Sequence, residues 1–228
     1  MANVMAAKDK EKVRRFAKGE ETRLKIIKTA LRVFGLYSLS GATSRMIAKE
    51  ADVNLGVINY YFGNKQNLNE AVAEYASDFF EKNMRSVMEK AHCLKDDKVT
   101  DRDVLLNMLL EILMTFAKCN ISEAEGPFVC SYFMREQIEP TTAYDILYER
   151  TMKAQNDMIA YLVGTILGED PKSNRIILKG TAILGQILTF TIAQEMVTRR
   201  TGWQEYGSAE MALVEDVIRE NTEAILLR

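Results

Sequence analysis

The sequence predicts an all-α protein, with a small helical unit at the N-terminus ahead of a larger helical body, on three observations. Apolar residues recur at three- and four-residue spacing along most of the chain, the signature of helices that bury one face. No stretch alternates apolar and polar residues for long enough to make a strand. Only three prolines, Pro127, Pro140 and Pro171, interrupt 228 residues, which leaves room for long helices. A hydrophobic share of 47% is enough to bury a core without disulfides or a structural metal. Cys93, Cys119 and Cys130 are odd in number and lack metal-type spacing, which fits a reducing cytoplasm. No metal or cofactor pattern stands out. The first twenty residues hold no apolar export segment. The most apolar run, Ile176–Val197, carries Lys179, Gln186, Gln194 and Glu195, so a buried helix is expected there rather than a membrane span.

Charge divides the chain. Residues 1–70 hold 13 basic side chains against 7 acidic ones, a net +6, while the rest holds 17 against 25, a net −8. A basic end on an acidic body is the pattern of a nucleic-acid-binding unit joined to something else. Residues 1–20, rich in Lys and Arg, are expected to form a mobile basic arm. The DNA-binding unit is expected over 21–70 and the body over 71–228.

The elements follow in order. Leu24, Ile27, Ala30, Leu31 and Phe34 form a helical stripe that closes near Gly35 and Gly41. Two short helices are expected over Thr43–Ala51 and Leu55–Tyr61. Asn64 is placed to cap a long helix over Lys65–Lys90. Thr100 with Asp103 resembles a capping box for a helix over Arg102–Lys118. A further helix spans Pro127–Ile138, and a long one follows Pro140 to Gly168. Asp170–Pro171 resembles a cap and first-turn proline for a run to Arg200. A last helix covers Ala209–Leu227.

The segment Thr43–Lys65 carries the functional signal. Two short helices joined by a turn fit a helix-turn-helix, whose second helix enters the major groove. Ile47, Val53 and Ile58 would form the core between them, and Ala48 would let them approach. That leaves Asn54, Leu55, Gly56, Val57 and Asn59 facing outward, and an Asn can pair with adenine edges.

Through Thr-x-x-x-Ile-Ala, Ala-x-Val and Tyr-Tyr-Phe-x-x-Lys, the stretch from Glu21 to Val72 resembles the TetR family of bacterial regulators. The resemblance implies that Thr43 and Ser44 open the first short helix against a phosphate, with Arg45 beside them reaching a guanine edge. It also implies that Asn54, Leu55, Gly56, Val57 and Asn59 read bases, and that Tyr60, Tyr61 and Lys65 contact phosphates. Asp52 stands where the family often has Gly. The segment Phe128–Thr141, with the Asn59–Tyr60 pair, is similar to a CecR-like branch.

The same resemblance implies a body that dimerises and binds a small-molecule effector, so a homodimer on a palindromic double-stranded DNA operator is expected. The helices expected at the dimer interface are Thr141–Leu167 and Asn174–Arg199, the second being apolar on more than one face. Candidate effector-pocket residues are Phe116, Tyr132, Phe133, Arg135, Tyr148, Tyr161, Gln186 and Phe190. No catalytic constellation emerges, so the chain is expected to be a regulator, a repressor released by its effector, and not an enzyme. A helical ligand-binding or enzymatic protein with a vestigial reader is the alternative. A ligand-free architectural DNA protein is a third reading.

Overall fold

The computed structural model describes residues 2–226, with side chains from Ala17 onward. Among these residues there are only helices and turns. Helix α1 (Ala2–Gly41), α2 (Ser44–Glu50) and α3 (Leu55–Phe62) form the N-terminal unit, and α4 (Lys65–Asp96) leads into the body. The segment expected as an arm is helical from Ala2 and continuous with α1. The basic side chains at 8, 10, 12, 14 and 15 lie outside the described residues.

Local chemistry sets each boundary. Thr43 caps α2 by accepting from the Met46 amide, and Asn54 caps α3 by accepting from Gly56 N. Gly63, at φ 77°, supplies the left-handed turn that sends the chain from α3 into α4. Asn64 caps α4, accepting from Asn67 N at 2.8 Å. At 32 residues, α4 is about 48 Å long and runs six residues past the expected end.

The body comprises α5 (Arg102–Ile121), α6 (Gly126–Ile138), α7 (Thr142–Leu147), α8 (Lys153–Leu167), α9 (Asn174–Ile192), α10 (Gln194–Thr201) and α11 (Ser208–Leu226). Four expectations need correction here. Asp101, not Thr100, caps α5, because its carboxylate reaches the amides of both Asp103 and Val104 at 3.0 Å. Asp170 and Pro171 form the connecting turn instead of a cap, and Ser173 caps α9. The run expected to continue to Arg200 breaks at Ala193 (φ −99°, ψ 26°) and restarts as α10. The helix expected from Pro140 to Gly168 is α7 and α8 joined by a π-helical turn, Tyr148–Met152.

Two apolar clusters hold the fold. In the first, Ile26, Ala30, Phe34, Ile47, Ile58 and Phe62 pack on Leu68, Val72 and Ala76 of α4. That cluster continues into Val129 and Tyr132 of α6 and Leu147 of α7, so the N-terminal unit is docked on the body. The second is built from Phe80 and Met84 of α4, Leu105, Leu109 and Leu113 of α5, Met158 and Leu162 of α8, Ile183 of α9 and Ile218 of α11. Helix α8 turns most of its apolar residues inward. Apolar side chains are left outside on α9, through Ile177, Leu178 and Ile192, and on α11, through Leu213, Val217 and Ile225, as well as on α1, α5, α6 and α10.

A buried polar knot joins α4 to α6 and α7. Asn69, fully buried, donates to Glu136 Oε1 and Thr141 Oγ1, both at 3.0 Å. Tyr132 donates its hydroxyl to the Asn69 carbonyl and side-chain oxygens. Glu136 Oε2 accepts from the amide and hydroxyl of Thr141. Burial, helped by the Glu136 charge, pushes the Tyr132 hydroxyl well above the usual phenol range, so it stays a donor.

Removing one member of the knot leaves others buried and unpaired. Asn69→Leu is expected to destabilise the chain by about 2–3 kcal/mol or more, because a buried carboxylate and a phenol lose their partner. Tyr132→Phe should cost less, about 1 kcal/mol, since it removes only a donor. Urea unfolding of the two variants checks the order, and equal effects would show that the knot is not a cooperative unit.

Candidate nucleic-acid interface and body cavity

Two regions gather the residues that the sequence singled out. The first is the outer surface of α2 and α3. Their inner faces are used by Ile47, Ala48, Ile58 and Phe62, all buried. Thr43, Arg45, Asn54, Gly56, Asn59 and Tyr60 are exposed, and Ser44, Leu55, Val57 and Tyr61 are partly so. Tyr60 is 82% exposed, and its ring meets Tyr61 edge-on at 5.2 Å. A tyrosine this bare has no packing role to explain it.

Three of these side chains also have structural work. The oxygens of Thr43 and Asn54 are engaged in capping, so Asn54 keeps only its amide N–H groups for another partner. Lys65 is partly buried, and its ammonium donates to the carbonyls of Leu39 at 2.7 Å and Ala42 at 2.9 Å. These carbonyls lie just past Ser38, where α1 breaks at φ 58°, ψ 176°, a conformation costly for any residue but glycine. Arg135 of α6 grips the same helix end, donating to the carbonyls of Gly35 and Leu36. A Cβ on Gly35 would meet Ser131 and Tyr132 at 3.3 Å, so α6 approaches α1 closely there.

The basic surplus is therefore partly consumed inside the fold. Lys28 pairs with Glu125, which also accepts from Tyr75, and Arg32 pairs with Glu50. Burial pushes the Glu125 carboxyl up, but the Lys28 and Tyr75 hydrogen bonds outweigh it and hold the group below the usual range. Lys18, Lys25, Arg45 and Lys49 remain exposed on this unit, with no ion pair among the described residues.

The second region is a cavity of about 830 Å³ in the body, walled by α4, α5, α6, the π turn, α8 and α9. Phe116, Phe133, Tyr148 and Tyr161 line it as expected, and so do Phe80, Tyr144, Met134 and Met152. Four expected pocket residues lie elsewhere. Tyr132 is in the polar knot and Arg135 is on the end of α1. Gln186 donates to Thr222 of α11, and Phe190 packs against the body core. Each is a polar or aromatic residue held by a neighbouring helix, Gln186 through its amide N–H while its Oε1 has no partner among the described residues. The cavity residues missed in the sequence include Tyr144, Thr151, Met152 and Gln155, which with Tyr148 recur at three- and four-residue spacing along one face of α7, the π turn and α8.

The π turn also grips α4 from outside. Arg150 donates to Glu81 Oε1 at 3.0 Å, to Asp78 Oδ1 at 2.7 Å and to Glu74. The residues on either side, Tyr148, Thr151 and Met152, line the cavity. Cys130 stands in the cavity wall, but burial pushes its thiol up to about 11, which leaves it protonated and a poor nucleophile.

Residues 26–72 match the family described as bacterial regulatory proteins, tetR family, and residues 106–227 match the C-terminal domain of the HTH-type transcriptional dual regulator CecR. The HTH-type transcriptional dual regulator CecR of Shigella flexneri is 30% identical over 92% of this chain and 93% of its own. Among solved structures, AibR in complex with isovaleryl coenzyme A and operator DNA superposes with a TM-score of 0.63 at 14% identity, covering 88% of this chain and 97% of that one. A mutant of HlyIIR superposes at 0.61 with 19% identity, covering 92% and 99%.

The surface chemistry separates two kinds of substitution. Lys65→Ala is expected to weaken binding to every DNA sequence alike and to lower the melting temperature by a few degrees, because it uncaps two carbonyls. Arg45→Ala and Asn59→Ala should leave melting unchanged and alter preference at particular base pairs. Gel-shift titrations on an operator and its point variants, with thermal melts, check both. A Lys65→Ala protein that melts like the parent but selects different bases would contradict the assignment.

Proposed function

Since the chain belongs to the TetR family of bacterial regulatory proteins and carries a CecR-type C-terminal domain, we propose that this transcriptional regulator is a homodimeric cytoplasmic repressor, released from a palindromic operator by a small-molecule effector. Helix α3 reads the major groove through Leu55, Gly56, Val57 and Asn59, with Asn54 at its entry. Thr43, Ser44, Tyr60 and Tyr61 sit on phosphates, and Arg45 reaches a base edge. The effector occupies the body cavity. The Shigella flexneri relative is a dual regulator, which favours activation at some promoters as a second reading.

The observation that carries the proposal is the shared use of α4. Its first turns hold the reader core, its middle walls the cavity through Phe80, and its outer face is gripped by Arg150 from the π turn. An effector that reshapes the π turn shifts the grip on α4 and so the angle of the reader. The shift requires unequal affinity for the two arrangements. Two readers must also stand about 34–36 Å apart to enter successive major grooves, so a change in angle at each protomer spoils the fit at both.

Dimerisation falls to α9 and α11. Leu178 is 67% exposed and Leu213 is 53% exposed, each beside further exposed apolar side chains on its own helix. Leu178→Glu or Leu213→Glu is expected to give a monomer in sedimentation equilibrium at micromolar concentration, with operator affinity lowered at least tenfold. A variant that remains dimeric places the interface elsewhere.

Coupling is tested by paired titrations. With a metabolite or drug that releases DNA, its affinity for the free protein should exceed its affinity for the protein–operator complex by the factor with which it weakens DNA binding, about 5–150-fold. Arg150→Met should shrink that factor while leaving effector affinity for the free protein nearly intact. Equal affinities with and without operator would remove the induction mechanism.

A further inference from the structure

The lining of the cavity restricts what can occupy it. Six rings face it, those of Phe80, Phe116, Phe133, Tyr144, Tyr148 and Tyr161. The five charged side chains that border it, Lys95, Lys153, Asp157, Asp170 and Lys172, are all exposed, so they stand on its rim. Lys153 is moreover paired with Glu149 at 2.8 Å. An ionised group carried inside would lose its water and meet no counter-charge, a cost of several kcal/mol.

One group in the wall is unsatisfied. Gln155, on the first turn of α8, is 5% exposed, and its amide nitrogen is sealed from solvent with no hydrogen-bond partner among the described residues. Three other polar side chains of the wall are engaged. Thr151 donates to the Leu147 carbonyl, Asn156 to Met152 and Asn120 to Phe116. A buried amide left open is costly, and the cavity is the side from which a partner can come. The thiol of Cys130, held protonated, offers no covalent alternative.

We propose that the cavity takes an uncharged, largely aromatic molecule bearing a carbonyl or amide group, recognised through that group by the side-chain amide of Gln155. This rests on reading the cavity as the effector site. Gln155 lies three residues after the π turn that carries Arg150, so the hydrogen bond would pull on the segment that grips α4.

Three probes of one shape test the assignment: benzophenone, diphenylmethane, which lacks the carbonyl, and 4-benzoylbenzoate, which adds a charge. Equilibrium dialysis gives the three affinities for the full-length protein and for Gln155→Leu and the closer isostere Gln155→Met. Irradiation of bound benzophenone, followed by peptide mass spectrometry, reports where it sits. The expected result is insertion into cavity residues such as Met134 or Met152. The preference for benzophenone over diphenylmethane should fall about 3- to 10-fold in either variant, and 4-benzoylbenzoate should bind more weakly than benzophenone. Thermal melts identify which variant is folded, and the Met variant preserves the side-chain shape if the Leu variant is not. Insertion in the cavity with an unchanged preference, or tighter binding of the charged probe, overturns the ligand class and leaves the cavity as the effector site. Insertion only on the exposed face of α9, or no binding at all, overturns the cavity reading together with this inference.

Discussion

The C-terminal end of α1 is the constraint on which the other parts depend. A helix end leaves carbonyls without partners and a partial negative charge. Here two cations from two different helices meet them, Lys65 at Leu39 and Ala42 and Arg135 at Gly35 and Leu36. Lys65 opens α4 and Arg135 belongs to α6, so one helix end fixes the reader against both the connecting helix and the body. The broken backbone at Ser38 is held in place by the same grip, with Ser40 reaching Glu139 just past the end of α6. Neither cation can be replaced by an apolar residue without orphaning carbonyls, and neither α4 nor α6 can move without displacing α1.

That arrangement makes α4 a stiff connection rather than a tether. Its first third is fixed by apolar packing and by Asn69 in the polar knot, and its middle by Arg150 across three carboxylates. The knot is buried and specific, while the Arg150 cluster is mostly exposed and worth less per contact. A displacement arising at the cavity therefore meets a rigid joint at the reader end and a yielding one at the π turn. The motion that costs least is a tilt of α4 carrying α1, α2, α3 and the α6 bound to them through Arg135 and the knot. On the proposed function, stiffness at one end and compliance at the other would carry a small change in the body to the outer surface of α2 and α3.

The sequence showed what periodicity and side-chain type can show. The all-α class, the two short helices after Thr43 and the cap at Asn64 follow from local rules, and the structure has each of them. The cap at Asp101, the break at Ala193 and the π turn at Tyr148–Met152 depend on competition between neighbouring residues or on tertiary packing. Pattern reasoning does not weigh those. The cavity was half legible for a related reason. Phe116, Phe133, Tyr148 and Tyr161 line it, but Tyr132 and Arg135, close to Phe133 in sequence, point at α4 and α1. Adjacent positions on a helix face different neighbours, and which neighbour is a void is a property of three-dimensional packing alone. Lys65 carries the same lesson, since its ammonium serves two carbonyls that only the folded chain brings within reach.

Helix α9 explains why the most apolar stretch of the chain needs to be so apolar. Ile176, Gly180, Ile183 and Ile187 form an inward stripe, and Gly180 keeps α8 close, since a Cβ there would meet Ile159 at 3.1 Å. Ile177, Thr181, Leu184 and Leu188 wall the cavity. Leu178 and Ile192 remain outside. A membrane helix would be apolar all round because its solvent is; this one is apolar on three faces because it has three tasks. Core, cavity and outer face are then borne by one rigid rod, so a molecule in the cavity presses on the same element that offers its far side to a partner. In the proposed dimer, occupation of the cavity and the seating of a second subunit on α9 would act on this one rod, and the spacing between the two readers would depend on both.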